Sequence, residues 1–476
     1  MRFNAIGDFA QLTFAVPDIL IGLSLISLII TKVIFGEKYS NLIFPKLSIA
    51  LSGICLLVTL MYNSFYSEFF NSLFIYNYSL SYIKSILLSC FFMIFLVING
   101  LRLYKLFNSS VYIFLFGIIS SIMISLSANN FISLLICLEL YSFSVSFLLV
   151  GRSMPMEKIK NSVRFLMTSA IMTAVIFFGM SLIYSHYGSL SFPKIKLDNS
   201  LASTVGSTLI ISGLLFKLGA APFHSWLVDI YEKASTSLVM LFDTIWKFFM
   251  VIIFIRVFDI LISGNNDYYK LFFTIISLLS MFIGGIMPIF QMNIKKFIAY
   301  SSVGHIGFIT AAFATTKTLA DTNIIMSYVF SYCVASILFF SVIMILKKFK
   351  KVETFSDLSG LIRYSQPLGY NLVVSMFAMV GMPPFINFLA KLNLLKQLVI
   401  SQNYLLLFAT IIYSVLSLFY VGKYARYIFR ENPNDPDIKI PSKFGTILII
   451  ILVVFFVLGF LYSNLNEWFY DVLKGI

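Results

Sequence analysis

The sequence predicts an all-α polytopic membrane protein of about fourteen transmembrane helices, an expectation carried by three observations. Of its 476 residues, 59% are hydrophobic and only 11% charged, whereas roughly a quarter are charged in a soluble domain. Apolar runs of about 20 residues, the length a helix needs to cross a bilayer, recur along the chain. Basic residues are segregated between alternate loops. The spans fall near 17–35, 43–62, 80–100, 110–127, 129–150, 162–185, 202–228, 236–262, 270–290, 297–316, 323–346, 368–400, 402–425 and 444–464.

An even number of spans puts both termini on one side, and lysine and arginine choose which. Loops after odd-numbered spans carry 22 basic residues and those on the opposite side carry 6. Both termini are therefore expected outside, in the periplasm of a bacterial inner membrane rather than in a mitochondrial equivalent. This segregation accounts for the net charge of +14, and nucleic acid is not expected as a partner. Cys55, Cys90, Cys137 and Cys333 lie inside apolar runs without ligand-like spacing, so they read as small core residues and no metal site is expected. No cleavable signal peptide is read, since Pro17–Phe35 has the length of a first span.

Two spans cannot run as unbroken helices. In Gly213–Lys233, GLLFKLGAAPFHSWLVDIYEK, Gly219 and Pro222 follow Lys217. In Phe377–Lys396, FAMVGMPPFINFLAKLNLLK, Gly381, Pro383 and Pro384 precede Lys391. Proline removes a backbone donor and clashes with the preceding turn, and glycine eases unwinding. In a bilayer such a break persists only where protein or trapped water satisfies the freed groups. Matching breaks in spans seven and twelve predict two five-helix repeats of inverted topology, 110–262 (spans four to eight) and 270–428 (nine to thirteen). Spans one to three (1–109) precede them, and a last span with its tail (444–476) follows.

That count by side leaves six basic residues within spans. Lys84, Arg256 and Lys396 are expected to snorkel to the headgroups. Lys217, Lys247 and Lys391 resist that reading, each having about ten apolar or small residues on either side. Glu139, the one carboxylate of Phe131–Val150, is either a structural acid bonded to a hydroxyl such as Ser142 or the partner of Lys217. Lys247 follows Asp243 by one turn: an ion pair that merely neutralises two charges, or a lysine tuned to exchange its proton. His305, between Gly304 and Gly307 among hydroxyls, is a hydrogen-bonded core residue or a proton carrier. His224 follows the first break and could link Lys217 to the loop; His186, at a span end, is expected to be inert. No GxGxxG, Walker A, CxxC, HExxH or GxSxG motif occurs, so no nucleotide, metal, haem or iron–sulfur group is expected in this chain.

GLLFKLGAAPFHSWLVDIYE, QMNIKKFIAYSSVGHIGF and VGMPPFINFLAKL resemble signature segments of the antiporter-like membrane subunits of respiratory complex I. The resemblance runs from about span four to span thirteen. A lysine at Lys391, and a chain expected to stop soon after span fourteen, make it similar to the subunit N branch, whose mitochondrial counterpart is NADH dehydrogenase subunit 2. The resemblance implies fourteen helices with the seventh and twelfth broken, and a midplane chain of ionisable residues that moves protons. It makes the chain an enzyme only as a translocase subunit, with quinone reduction elsewhere in the complex. By motif match Glu139 is the acid of span five, Lys217 its partner in span seven, Lys247 the lysine of span eight, His305 the histidine of span ten and Lys391 the terminal lysine; His224 is a secondary relay. Arg164 stands where the family has a span-six lysine, and since arginine keeps its proton it is expected to act only electrostatically. Asp243 is an additional acid, and EKASTS after Tyr231 departs from the family's Gly–Ala–Pro–Thr loop. Implied partners are other membrane-arm subunits, among them a homologous antiporter-like subunit and small membrane subunits, with the flavin, iron–sulfur clusters and quinone held by partners. A subunit of a multisubunit cation/proton antiporter is the competing reading, and a scaffold whose ion pairs only hold helices together is a third.

Overall fold

The computed structural model describes residues 16–62, 66–100, 108–151, 156–195, 198, 200–262, 266–316, 319–430 and 467–469. Helices follow the apolar runs in order. They are α1 (Val16–Met61), α2 (Tyr78–Gly100), α3 (Ser109–Ser127), α4 (Phe131–Val150), α5 (Met156–Tyr187), α6 (Leu201–Leu218), α7 (Ser225–Lys233) and α8 (Thr236–Leu241). A π-helical turn, Phe242–Trp246, leads into α9 (Lys247–Ile262). Then come α10 (Asn266–Ile286), α11 (Ile294–Phe313), α12 (Leu319–Lys347), the short α13 (Leu361–Tyr364), α14 (Gln366–Val380), α15 (Ile386–Ile400) and α16 (Tyr404–Phe429). A small antiparallel hairpin, β1 (Ser67–Phe69) and β2 (Phe74–Tyr76), lies between α1 and α2.

The helix ends have local causes. Gly36, at φ 70°, bends α1 between two span-length segments, Val16–Glu37 and Tyr39–Met61. Asn130 starts α4 by accepting from the Ile132 amide, Asn293 starts α11 by accepting from those of Lys295 and Lys296, and Asn403 starts α16 at the Leu406 amide. A short polar side chain placed just before an apolar run satisfies amides that the first turn leaves without partners.

Among the described residues, 11 helical segments are long and apolar enough to cross a membrane. They coincide with the expected spans one to nine, eleven and thirteen. Span ten is α11, and span twelve is split into α14 and α15. The expected span 444–464 lies outside the described residues, as do both termini and Arg102, Lys105, Arg152, Lys196, Lys317, Lys439 and Lys443 of the charge-segregated loops.

The described residues divide into two compact units, parted between Leu214 and Leu215; the stretch from Arg256 through α9 belongs to the first unit, and Leu215–Ile255 with the residues from Asn266 to Tyr470 to the second. The first unit corrects the reading of Lys84. Its side chain is wholly buried in α2 rather than reaching for headgroups, with its amine 2.6 and 2.7 Å from the carboxylate of Asp18 and 2.5 Å from the Ser127 hydroxyl. Ser127 also donates to Asp18 at 2.7 Å, closing a three-residue cluster of α1, α2 and α3. Arg256 is corrected too: its guanidinium donates to the Leu126 carbonyl at the end of α3 and lies 6.0 Å from the Phe192 ring. In each case a fixed partner inside the protein outcompeted distant solvent. Lys396 is exposed.

Replacing Asp18 by Ala leaves a buried cation unpaired and is expected to cost about 3–5 kcal/mol. The volume-matched double replacement Asp18→Leu with Lys84→Met should recover most of that loss. Thermal unfolding of the detergent-solubilised protein checks both.

Candidate functional site

Both helix breaks lie in the second unit and are built alike. Past the end of α6, Gly219 takes φ 88°, and its amide donates to the carbonyls of Leu215 and Phe216 at 3.0 and 2.9 Å. The Ala220 amide reaches back to Leu215 at 3.0 Å. Past α14, Gly381 takes φ 82°, its amide donates to Phe377 and Ala378 at 3.0 and 3.1 Å, and Met382 reaches back to Phe377 at 3.1 Å. This is the left-handed glycine cap, in which two amides turn back on the last carbonyls of the helix.

Side chains add further donors to the last carbonyls. At the first break the indole of Trp226 donates to Phe216 at 2.8 Å and that of Trp246 to Lys217 at 2.9 Å. At the second, the Asn387 amide donates to Ala378 and Met379 at 2.9 and 3.3 Å, and its carbonyl accepts from Ser331. Breaks of this kind survive in an apolar interior where protein groups answer the freed carbonyls, as they do here at Phe216, Lys217, Ala378 and Met379.

Between the breaks, the second unit gathers buried ionisable groups from several helices. Asp243 and Lys247 are 0% and 1% exposed and form an ion pair at 2.5 Å. The Tyr332 hydroxyl of α12 accepts from Lys247 at 3.0 Å, and the amine lies 4.3 Å from the centre of that ring. His305 of α11 packs its imidazole 4.5 Å from the Tyr332 ring, and its Nδ1 lies 2.6 Å from the Tyr328 hydroxyl. Lys391 of α15 is buried, with its amine 4.9 Å from the Phe308 ring and 5.4 Å from that of Tyr413. Neither that amine nor His305 Nε2 has a hydrogen-bond partner among the described residues. Gly304 makes room for this packing: a β-carbon there would stand 2.3 Å from Tyr413. Two amines, an imidazole and a carboxylate are thus strung along a seam of tyrosines.

The other expected residues fall elsewhere. Glu139 is half-buried in the first unit and accepts from the Thr173 hydroxyl of α5, whereas Ser142 donates to the Leu138 carbonyl. Lys217 is buried at the end of α6, in the second unit. Arg164 is exposed on α5. His224 is half-buried just ahead of α7, its ring 6.3 Å from that of Tyr300. His186 pairs at 3.0 Å with Asp198 in an exposed loop, where Ser200, His186 and Tyr187 hold the Asp198 carboxyl below the usual carboxylate range. The sequence reading missed Tyr328, Tyr332, Ser336 and Asn387. A signal existed for the tyrosines: SYVFSYC sets them four residues apart, on one face of α12.

Residues 128–417 match the family described as NADH:quinone oxidoreductase/Mrp antiporter, TM. The chain belongs to that family. Among its relatives, the NADH-quinone oxidoreductase subunit N of Pelagibacter ubique is 28% identical over 461 residues, covering 94% of this chain and 97% of that protein. The fold of this family member is also that of a chain in respiratory complex I of Thermus thermophilus, at a TM-score of 0.77 and 17% identity, covering 95% of this chain and 98% of that one. A chain of the Mrp complex from Dietzia sp. has the same fold at a TM-score of 0.83 and 14% identity, each chain covered to 97%. The chain is a multi-pass membrane protein with the antiporter-like fold.

Gly381→Ala would force an L-residue into the left-handed region and press a β-carbon to 3.1 Å from the Asn387 backbone. It is expected to cost about 1–2 kcal/mol. Asn387→Ala removes the side-chain donor to the Met379 carbonyl and one of the two donors to Ala378, and should cost about 1–3 kcal/mol. Thermal unfolding measures each.

Proposed function

We propose that this chain is the proton-translocating subunit N of an NADH:quinone oxidoreductase, a membrane-arm subunit that performs no redox chemistry itself. Family membership and a near-full-length relative of that name support the reading. The observation that carries it is the buried seam joining Lys247, His305 and Lys391, since ionisable groups inside a membrane protein are costly and mark ion or proton paths.

In this mechanism protons are taken up from the cytoplasmic side and load Lys217 under the control of Glu139. They pass along Lys247 and His305 and reach Lys391 before release outside. The seam supplies unequal stations: Lys247 has a carboxylate at 2.5 Å, while the Lys391 amine, without a hydrogen-bond partner among the described residues, lies 4.9 and 5.4 Å from two aromatic rings. A proton arriving at Lys391 is held by weak ring contacts rather than by a carboxylate, which suits a point of departure. His224 serves as a secondary relay beside the first break, and Arg164 acts only through its charge. The termini lie on the outer face of a bacterial inner membrane. Partner subunits of the membrane arm, including a homologous antiporter-like subunit, surround the chain, and flavin, iron–sulfur clusters and quinone reside in partners.

Lys391→Met and Lys217→Met in the assembled complex are each expected to remove most NADH-driven proton uptake into sealed vesicles, with flavin and iron–sulfur content unchanged. Normal pumping in both variants would defeat the reading. The fold shared with the Mrp complex favours a second possibility, a cation/proton antiporter subunit. Purification through a tag on this chain separates the two, because only the first brings flavin and iron–sulfur proteins.

A further inference from the structure

Resting on the reading just given, the geometry points to Asp243 as a positioning residue that fixes Lys247 on the proton line, with Tyr332 tying the pair to His305. Neutralising one buried lysine requires a single contact. Asp243 has four donors: the Lys247 amine at 2.5 Å, the Tyr332 hydroxyl at 2.9 and 3.0 Å, the Ser336 hydroxyl at 2.5 Å and the Tyr231 hydroxyl at 3.2 Å. A carboxylate offers about four lone-pair sites, so its acceptor capacity is filled. Such a group cannot drift, and neither can the amine it holds.

The backbone is shaped around it. Asp243 lies in the π-helical turn Phe242–Trp246, and α9 begins at Lys247 itself. Turns of this kind interrupt α-helices mostly at functional positions. The Thr244 carbonyl, which accepts from the Lys247 amide, also accepts the Cys333 thiol at 3.3 Å, fastening the irregular segment to α12. Donors to Asp243 come from both sides, Tyr231 from α7 and Tyr332 with Ser336 from α12. The titratable groups facing the pair are Tyr231, Tyr332 and Cys333, and beyond the Tyr332 ring the imidazole of His305, which in turn faces Lys391. Tyr332 therefore touches the ion pair with its hydroxyl and the next station with its ring. Asp243 sets where Lys247 waits and how firmly it keeps its proton.

The test uses assembled complex in sealed vesicles, reading protons moved per NADH oxidised and the pH profile of that ratio. Asp243→Asn preserves shape and removes charge. It should lower the ratio by about tenfold, the smallest effect of losing an opposite charge at this range, and move the alkaline limb of the profile toward neutrality. Tyr332→Phe keeps its ring against His305 and should lower the ratio by about tenfold, the low end of the scale for one lost hydrogen bond to a charged group. A purely structural Asp243 would reduce the amount of complex and leave ratio and profile unmoved, which overturns the inference. Should Asp243→Asn fail to assemble, Tyr332→Phe and Ser336→Ala decide, and an unmoved profile in both overturns it. Lys247→Met is the control. Full pumping in Lys247→Met defeats the proton-line reading itself; loss there with normal behaviour of Asp243→Asn defeats only the role of Asp243.

Discussion

A polar group carried into an apolar interior is costly without a partner inside the protein, and the pairing of Lys247 with Asp243 shows that demand met. At exposures of 1% and 0%, neither residue can be rescued by solvent. An unpaired buried charge costs several kcal/mol, so the positions of Tyr231, Tyr332 and Ser336 follow from the need to satisfy the carboxylate. The same demand shapes both helix breaks, where Trp226, Trp246 and Asn387 bond to carbonyls that a continuous helix would have used itself. It also explains Lys84, which is held by Asp18 and Ser127.

The residues that answer the breaks and the buried ionisable groups belong to the same unit. Interrupting a helix exposes carbonyls, and answering them with side chains brings α7, the π-helical turn before α9, and α15 to the breaks. Elsewhere in the same unit α11, α12 and α15 place His305, Tyr328, Tyr332 and Lys391 near one another. Satisfaction along the seam is unequal: Lys247 donates to Asp243 and Tyr332, whereas the Lys391 amine has no hydrogen-bond partner among the described residues. A uniformly satisfied core would be stable and inert.

Much of this was legible in the chain. Apolar runs place the helices, since length and hydrophobicity alone decide what crosses a bilayer. Gly219 and Pro222, and Gly381 with Pro383 and Pro384, mark the interruptions. Lys247 and Lys391 stood out because so few charges occur within spans, and four-residue spacing brought Asp243 to Lys247. The spacing could not say that Asp243 has three further donors, two of them from a helix some 90 residues on. Lys84 and Arg256 were misplaced because snorkelling is judged from distance to a span end, while Asp18 and the Leu126 carbonyl are near only after folding.

What the sequence by itself determined is a membrane-embedded helical chain with two interrupted helices and a few ionisable residues at midspan. These are consequences of composition, local backbone chemistry and periodicity. The tertiary structure alone decided which charges are answered and by whom: Asp243 by four donors, Asp18 by Lys84, Glu139 by Thr173, Lys391 by rings. Partnership in a buried interior depends on distances of about 3 Å between residues far apart along the chain, and helical periodicity carries no information about those.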